Sequence, residues 1–110
     1  MADYYHSEHL ARFGTIAEGN EELATKFFDW YGAVFRDGAL SEREKALIAL
    51  AVAHAVQCPY CIDAYSKTCL EKGADIEQMT EAVHVATAIR GGASLVHGVQ
   101  MKNVVSKMEM

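Results

Sequence analysis

Four residues between positions 54 and 65 have side chains that could do chemistry together: His54, Cys58, Cys61 and Tyr65, in "HAVQCPYCIDAY". Cys58 and Cys61 are three residues apart, so on a helix they share one face, with Cβ atoms roughly 5–6 Å apart. Pro59 suits the first turn of a helix, which puts Cys58 at the N-cap and Cys61 in the first turn. A helix N-terminus carries about half a positive charge and lowers the pKa of a nearby thiol. A dithiol that cycles to a disulfide needs this spacing and this supply of thiolate. His54 lies one helical turn before Cys58 and Tyr65 one turn after Cys61, so both could reach the pair.

Other readings of the pair stay open on spacing alone. His54, Cys58 and Cys61 form an H-x3-C-x2-C arrangement, but zinc wants four ligands and the chain has no second pair. Cys69 stands eight residues beyond Cys61, about 12 Å along the same helix, too far to complete that site. Haem attachment fails because Ile62, not histidine, follows Cys61. The plainest alternative is two buried small hydrophobes. Tyrosines near a core usually pack the ring and hydrogen-bond the hydroxyl, and a histidine on an apolar face is more often a satisfied core residue. His84 and His97 have no evident partner, and Cys69 is expected to be inert. Neither a metal nor a cofactor is expected.

The elements that must position these residues are helical throughout. Asn20 reads as the N-cap of a helix to about Phe35, with Glu21 and Glu22 at its positive end. Leu23, Phe27, Trp30, Tyr31 and Val34 give it one apolar face. Ser41 and Glu44 form a capping box for a helix to about Val56, hydrophobic nearly all round and therefore central. The cysteine helix runs to about Lys72, where Gly73 makes a C-terminal stop. Asp75 with Gln78 opens another helix to about Arg90. Gly91-Gly92 is expected to break or kink it before a last amphipathic helix, "ASLVHGVQMKNVVSKM". Residues 1 to 19 are mixed, with "FGTIAEGN" expected as a loop. The fold class is all-α, about five to six helices.

Bulk properties bound the function. At 110 residues the chain reads as a single domain, 1–110. A net charge of −5 without a basic cluster argues against a nucleic-acid partner. The longest apolar run, "ALIALAVA", is too short to span a bilayer, so no membrane association is expected. The N-terminus lacks the charged-then-apolar pattern of a signal peptide, and a cytoplasmic location is expected. Three cysteines in a reducing compartment are not a structural disulfide framework. Hydrophobic content of 51% in so short a helical chain points to apolar surface buried between subunits, hence a homo-oligomer.

The stretch "ALSEREKALIALAVAHAVQCPYCIDAYSKTCLEKGAD" resembles the carboxymuconolactone decarboxylase / alkylhydroperoxidase-D-like family over about residues 30 to 100. "EAVHVATAIRGGASLVHGVQM" looks closer still to the peroxidase-like proteins associated with arsenosugar biosynthesis. The resemblance implies a helical-hairpin bundle that assembles as trimers or hexamers. It also implies reduction of a peroxide or related small-molecule acceptor by the C-x-x-C pair, restored by a dithiol reductant protein. In peroxidase members the second cysteine attacks and the first resolves, which assigns Cys61 as nucleophile and Cys58 as resolver. Plain thiol chemistry prefers the sulfur more exposed at the helix end, often the first, and the two arguments disagree.

Two positions depart from the peroxidase pattern. Those members carry a glutamate where this chain has Ala46 and a histidine where it has Tyr65. The missing pair relays a proton at the attacking sulfur, a task worth about 10²–10⁴-fold. His54 is the candidate substitute; Glu44 is near Ala46 in sequence but on another helical face. The expected function is a thiol-dependent oxidoreductase of the peroxidase-like type with an altered proton relay. The alternative is a non-catalytic or metalloid-binding helical oligomer, in which the two thiolates hold a soft ion. The decarboxylase branch is disfavoured, since its chemistry does not use the pair.

Overall fold

Each cap residue named above starts a helix in the computed structural model, which describes residues 13–109. Helix α1 (Glu21–Val34) begins where the Asn20 side chain accepts the Leu23 N–H at 3.1 Å. Helix α2 (Glu42–Ala55) opens on the Ser41–Glu44 capping box, with both arms present at 3.1 and 2.9 Å. Cys58 caps α3 (Pro59–Glu71), and a second capping box, Asp75 with Gln78, starts α4 (Ile76–Met108). Among the described residues there is no strand, so the fold is all-α.

Helices α2 and α3 form a tight hairpin, and α4 packs along α2. The core between them is Ala46, Leu50, Cys69, Ala74 and Met79, with Leu50 and Cys69 fully enclosed. An ion pair between Lys72 and Glu42, 2.7 Å, fastens the open end of the hairpin. Helix α1 buries no residue. It is held by aromatic contacts to α3 and by Lys45 of α2, whose ammonium donates to the Val34 and Arg36 carbonyls at 2.8 and 2.6 Å. Those carbonyls are among the acceptors a helix end leaves open.

Two expectations need correction. Phe13–Gly19 is a 3₁₀ helix, not a loop; the mixed residues before Phe13 lie outside the described range. Gly91-Gly92 does not break the chain's last helix: α4 runs unbroken through 33 residues. A helical glycine costs about 1 kcal/mol relative to alanine. No proline follows to remove a donor, so the long run on either side absorbs that cost. The described residues hold four α-helices and one 3₁₀ segment, in rough accord with the five to six helices expected. The apolar face of α1 is left open, with Leu23 and Trp30 63 and 64% exposed. Helix α2 is central as expected, yet Ile48, Val52 and Val56 on its outer side are half-exposed or more. No helix among the described residues is long and apolar enough to cross a membrane.

Candidate functional site

The turn between α2 and α3 sets the cysteine pair. Cys58 N–H donates to the Ala53 carbonyl at 3.0 Å and Gln57 N–H to the His54 carbonyl at 3.2 Å. Together these close a Schellman motif on the end of α2. Its pivot is Gln57, at φ 57 in the left-handed region that glycine normally fills. A side chain there costs roughly 1–2 kcal/mol. Arg90 of α4 braces the same turn by donating from Nη1 to the Ala55 carbonyl.

The chain therefore re-enters a helix with Cys58 at its N-cap. Cys61 N–H donates to Cys58 Sγ at 3.2 Å, and the two sulfurs are close enough to pair as a disulfide, with Cα atoms 5.2 Å apart. That separation is within the ordinary range for such a bridge. The Cys58 sulfur lies at the N-terminus of α3, where the helix macrodipole favours negative charge.

Cys61 opens on a cavity of about 420 Å³ between the end of α1 and helices α2 and α3. Its walls are apolar, chiefly Val34, Phe35, Leu40, Ile48, Val52 and Val56. Lys45 is also on its wall, with its ammonium held by the Val34 and Arg36 carbonyls at the end of α1. Tyr65 is on the same wall as Cys61, its ring stacked on Phe35 at 5.2 Å and 24° and its hydroxyl hydrogen-bonded to that of Tyr31. Burial first, and the Tyr31 hydroxyl second, push the Tyr65 phenol well above its ordinary value of 10. Tyr65 thus stays protonated at neutral pH and offers a hydrogen bond, not a base.

The structure brings Cys61 and Tyr65 together on the cavity, with Cys58 paired to Cys61 from the turn behind. His54 is set apart: it does not line the cavity, and its Nδ1–H donates to the Leu50 carbonyl of its own helix at 2.9 Å. That bond leaves the lone pair on Nε2. Glu44 is committed to the Ser41 cap; that backbone N–H lowers its carboxyl pKa. His84 and His97 are exposed on α4. Cys69 is fully buried in the core, where desolvation pushes its thiol up. Among the described residues no three of His, Cys, Asp and Glu converge as a metal site.

Sequence reasoning missed Gln57, Lys45 and Arg90. Only the three-residue gap between two helix signals hinted at a sharp turn at Gln57. Nothing local marks Lys45 or Arg90, because both act on carbonyls of other elements.

Comparison with known proteins adds independent findings. The model of the carboxymuconolactone decarboxylase family matches residues 21–101. A protein of Paracoccus denitrificans, "Uncharacterized protein 4 in cox locus", is 37% identical over 109 residues, 99% of this chain and 98% of its own. A crystal structure of a Methanobacterium thermoautotrophicum protein is 34% identical with TM-score 0.75, covering 78% of this chain and 97% of that one. A carboxymuconolactone decarboxylase family protein from Legionella pneumophila, solved without ligand, is 34% identical with TM-score 0.69, covering 84 and 82%.

Proposed function

The chain belongs to the carboxymuconolactone decarboxylase family, and from that premise we propose that it is a thiol-dependent oxidoreductase that reduces a peroxide or related acceptor with Cys58 and Cys61. The observation that carries this reading is the pair's position: side by side at the start of α3, with Cys61 alone of the two lining an apolar cavity.

The step runs as follows. Cys61 thiolate attacks the terminal peroxide oxygen; the O–O bond breaks, an alcohol or water leaves after taking a proton, and Cys61 becomes a sulfenic acid. Cys58 thiolate then attacks that sulfur, hydroxide leaves as water, and the S–S bond forms. A dithiol protein returns two electrons and two protons. Cys58 suits the resolving role, because the N-cap position holds its sulfur beside Cys61.

What the site lacks is the proton relay of peroxidase relatives. Ala46 is 1% exposed, and Tyr65 packs against the buried cluster to which Ala46 belongs. The two departing positions thus belong to one apolar cluster and its rim, where those relatives carry an acid and a base. Tyr65 can steady a leaving oxygen by hydrogen bonding but does not take the thiol proton. His54, whose Nε2 is not used by the Leu50 bond, is the base left in the segment, and His54→Gln should slow oxidation. The site is accordingly slow towards simple peroxides.

Dimedone labelling after peroxide treatment tests the assignment. Cys58→Ser should leave a labelled sulfenic acid on Cys61, and Cys61→Ser should take no label. Label on Cys58 alone would reverse the order of attack, and no label in either variant would refute peroxide reduction.

A further inference from the structure

The open carbonyls at the end of α2 can be accounted for one by one. A helix leaves its last four without a partner inside it, here those of Val52, Ala53, His54 and Ala55. The connection to α3 serves three of them. Val56 N–H donates to Val52 at 2.9 Å, Cys58 N–H to Ala53 at 3.0 Å and Gln57 N–H to His54 at 3.2 Å. No backbone donor of that connection is left for Ala55, and Pro59, the next residue, has no N–H. Its partner comes from another element: Arg90 of α4, 35 residues along the chain, donates from Nη1. A cation is also the charge favoured at a helix C-terminus.

The bond falls where the backbone needs holding. Three residues, 56 to 58, separate α2 from α3. Gln57 in their middle has φ 57, a left-handed conformation that a side chain keeps only where its surroundings over-determine it. Cys58 beside it is extended, at φ −106 and ψ 96, and its sulfur lies 3.2 Å from the Cys61 N–H. Cys61 is fixed by the first turn of α3, whereas Cys58 is fixed by the connection. How closely the two sulfurs face each other therefore depends on the turn, and Arg90 ties that turn to the packing of α4 on α2.

We propose that Arg90 is a positioning residue for the dithiol: by holding the Ala55 carbonyl it keeps the Gln57 turn in the geometry that presents Cys58 to Cys61, and so favours the bridged pair over the open one. It acts through the backbone, three residues before Cys58. Acting as a charge on the start of α3 it would do the reverse, since a cation favours thiolate and hence the open pair. The direction of the effect separates the two. The proposal rests on the reading that Cys58 and Cys61 cycle between dithiol and disulfide, and not on which acceptor oxidises them.

The test is equilibration of the full chain with glutathione. The two thiols give two electrons and two protons to one oxidised glutathione, leaving the Cys58–Cys61 bridge and two molecules of reduced glutathione. Acid quenching, alkylation and mass spectrometry read the bridged fraction across the buffer series. Arg90→Ala should lower the equilibrium constant for the bridge at least threefold, about 14 mV towards a more oxidising potential. Arg90→Lys, which can still donate, should recover most of the loss. Arg90→Met keeps the stem without the donor and takes the place of the alanine variant if that misfolds. Lys72→Ala cuts the ion pair to Glu42 at the opposite end of the hairpin and should leave the constant unchanged. An unchanged constant without the Arg90 donor, an equal fall in Lys72→Ala, or a shift towards the bridge would each overturn the positioning role. A native pair that never bridges would overturn the dithiol reading and the proposal with it, a result distinct from the other three.

Discussion

Helix α3 carries all three cysteines of the chain, and its two halves treat them in opposite ways. At its start Cys58 and Cys61 are half-buried, paired, and placed against the positive end of the helix dipole. Further along, Cys69 is sealed in the core with its thiol pushed up by burial. The flanking turns differ in the same sense. Both are Schellman motifs with a left-handed pivot, closed by Cys58 N–H to Ala53 at one end and Ala74 N–H to Cys69 at the other. The quiet end uses Gly73 at φ 89, as local preference asks, and the cysteine pair's end uses Gln57 at φ 57, against it. Position along one helix, not residue type, separates a half-buried, paired thiol from a sealed one.

The sharpest way to break this contrast is to remove thiols one at a time. Cys61→Ser should abolish peroxide-driven loss of thiols, while Cys69→Ala should leave it within twofold. Cys69→Ser should instead cost about 1–3 kcal/mol, a hydroxyl buried without a partner, read from urea denaturation. If Cys69→Ala abolished oxidation and Cys61→Ser did not, the division of α3 would be wrong.

The next effect concerns the missing relay. Ala46→Glu alone places a carboxylate at a position 1% exposed and should destabilise the fold by several kcal/mol. With Tyr65→His the glutamate gains a partner. The double variant should be more stable than the single and reduce peroxide at least tenfold faster than the native chain, about 1.4 kcal/mol off the barrier. A well-folded double variant without gain would show a site suited to a different acceptor.

How far these features could be read beforehand depends on the range of the physics behind them. The Asn20, Ser41–Glu44, Cys58–Pro59 and Asp75–Gln78 starts and the Gly73 stop were legible because capping is settled within four residues. The unbroken α4 was not: a glycine pair disfavours a helix by an amount that the length on either side outweighs. Cys58 and Cys61 declared themselves by spacing. The cavity that sets Cys61 apart did not, since it is built from three helices and closed by the Lys45 cap on α1. Gln57 hid because glutamine carries no turn signal, and only the chain reversal around it imposes the left-handed backbone.

Two smaller effects sharpen the comparison further. Folding favours the protonated phenol of Tyr65, whose pKa is raised by burial and by Tyr31. The stability it contributes is complete below about pH 10 and is lost as pH rises from there through the raised value. Urea midpoints should hold to pH 9 and fall above pH 10, and Tyr65→Phe should flatten part of that fall. At the turns, Gly73→Ala should cost about 1 kcal/mol, and Gln57→Gly should be neutral or stabilise by up to about 1 kcal/mol. Equal costs at both turns would mean that Gln57 is not strained.

The central claim is that Cys58 and Cys61 are the working dithiol. It is tested most directly by mass spectrometry of the reduced protein after one equivalent of peroxide. The account predicts loss of two hydrogens in the peptide holding both residues, reversed by a dithiol, with Cys69 still a free thiol. A bridge from Cys58 or Cys61 to Cys69, or a pair that stays reduced, would contradict it.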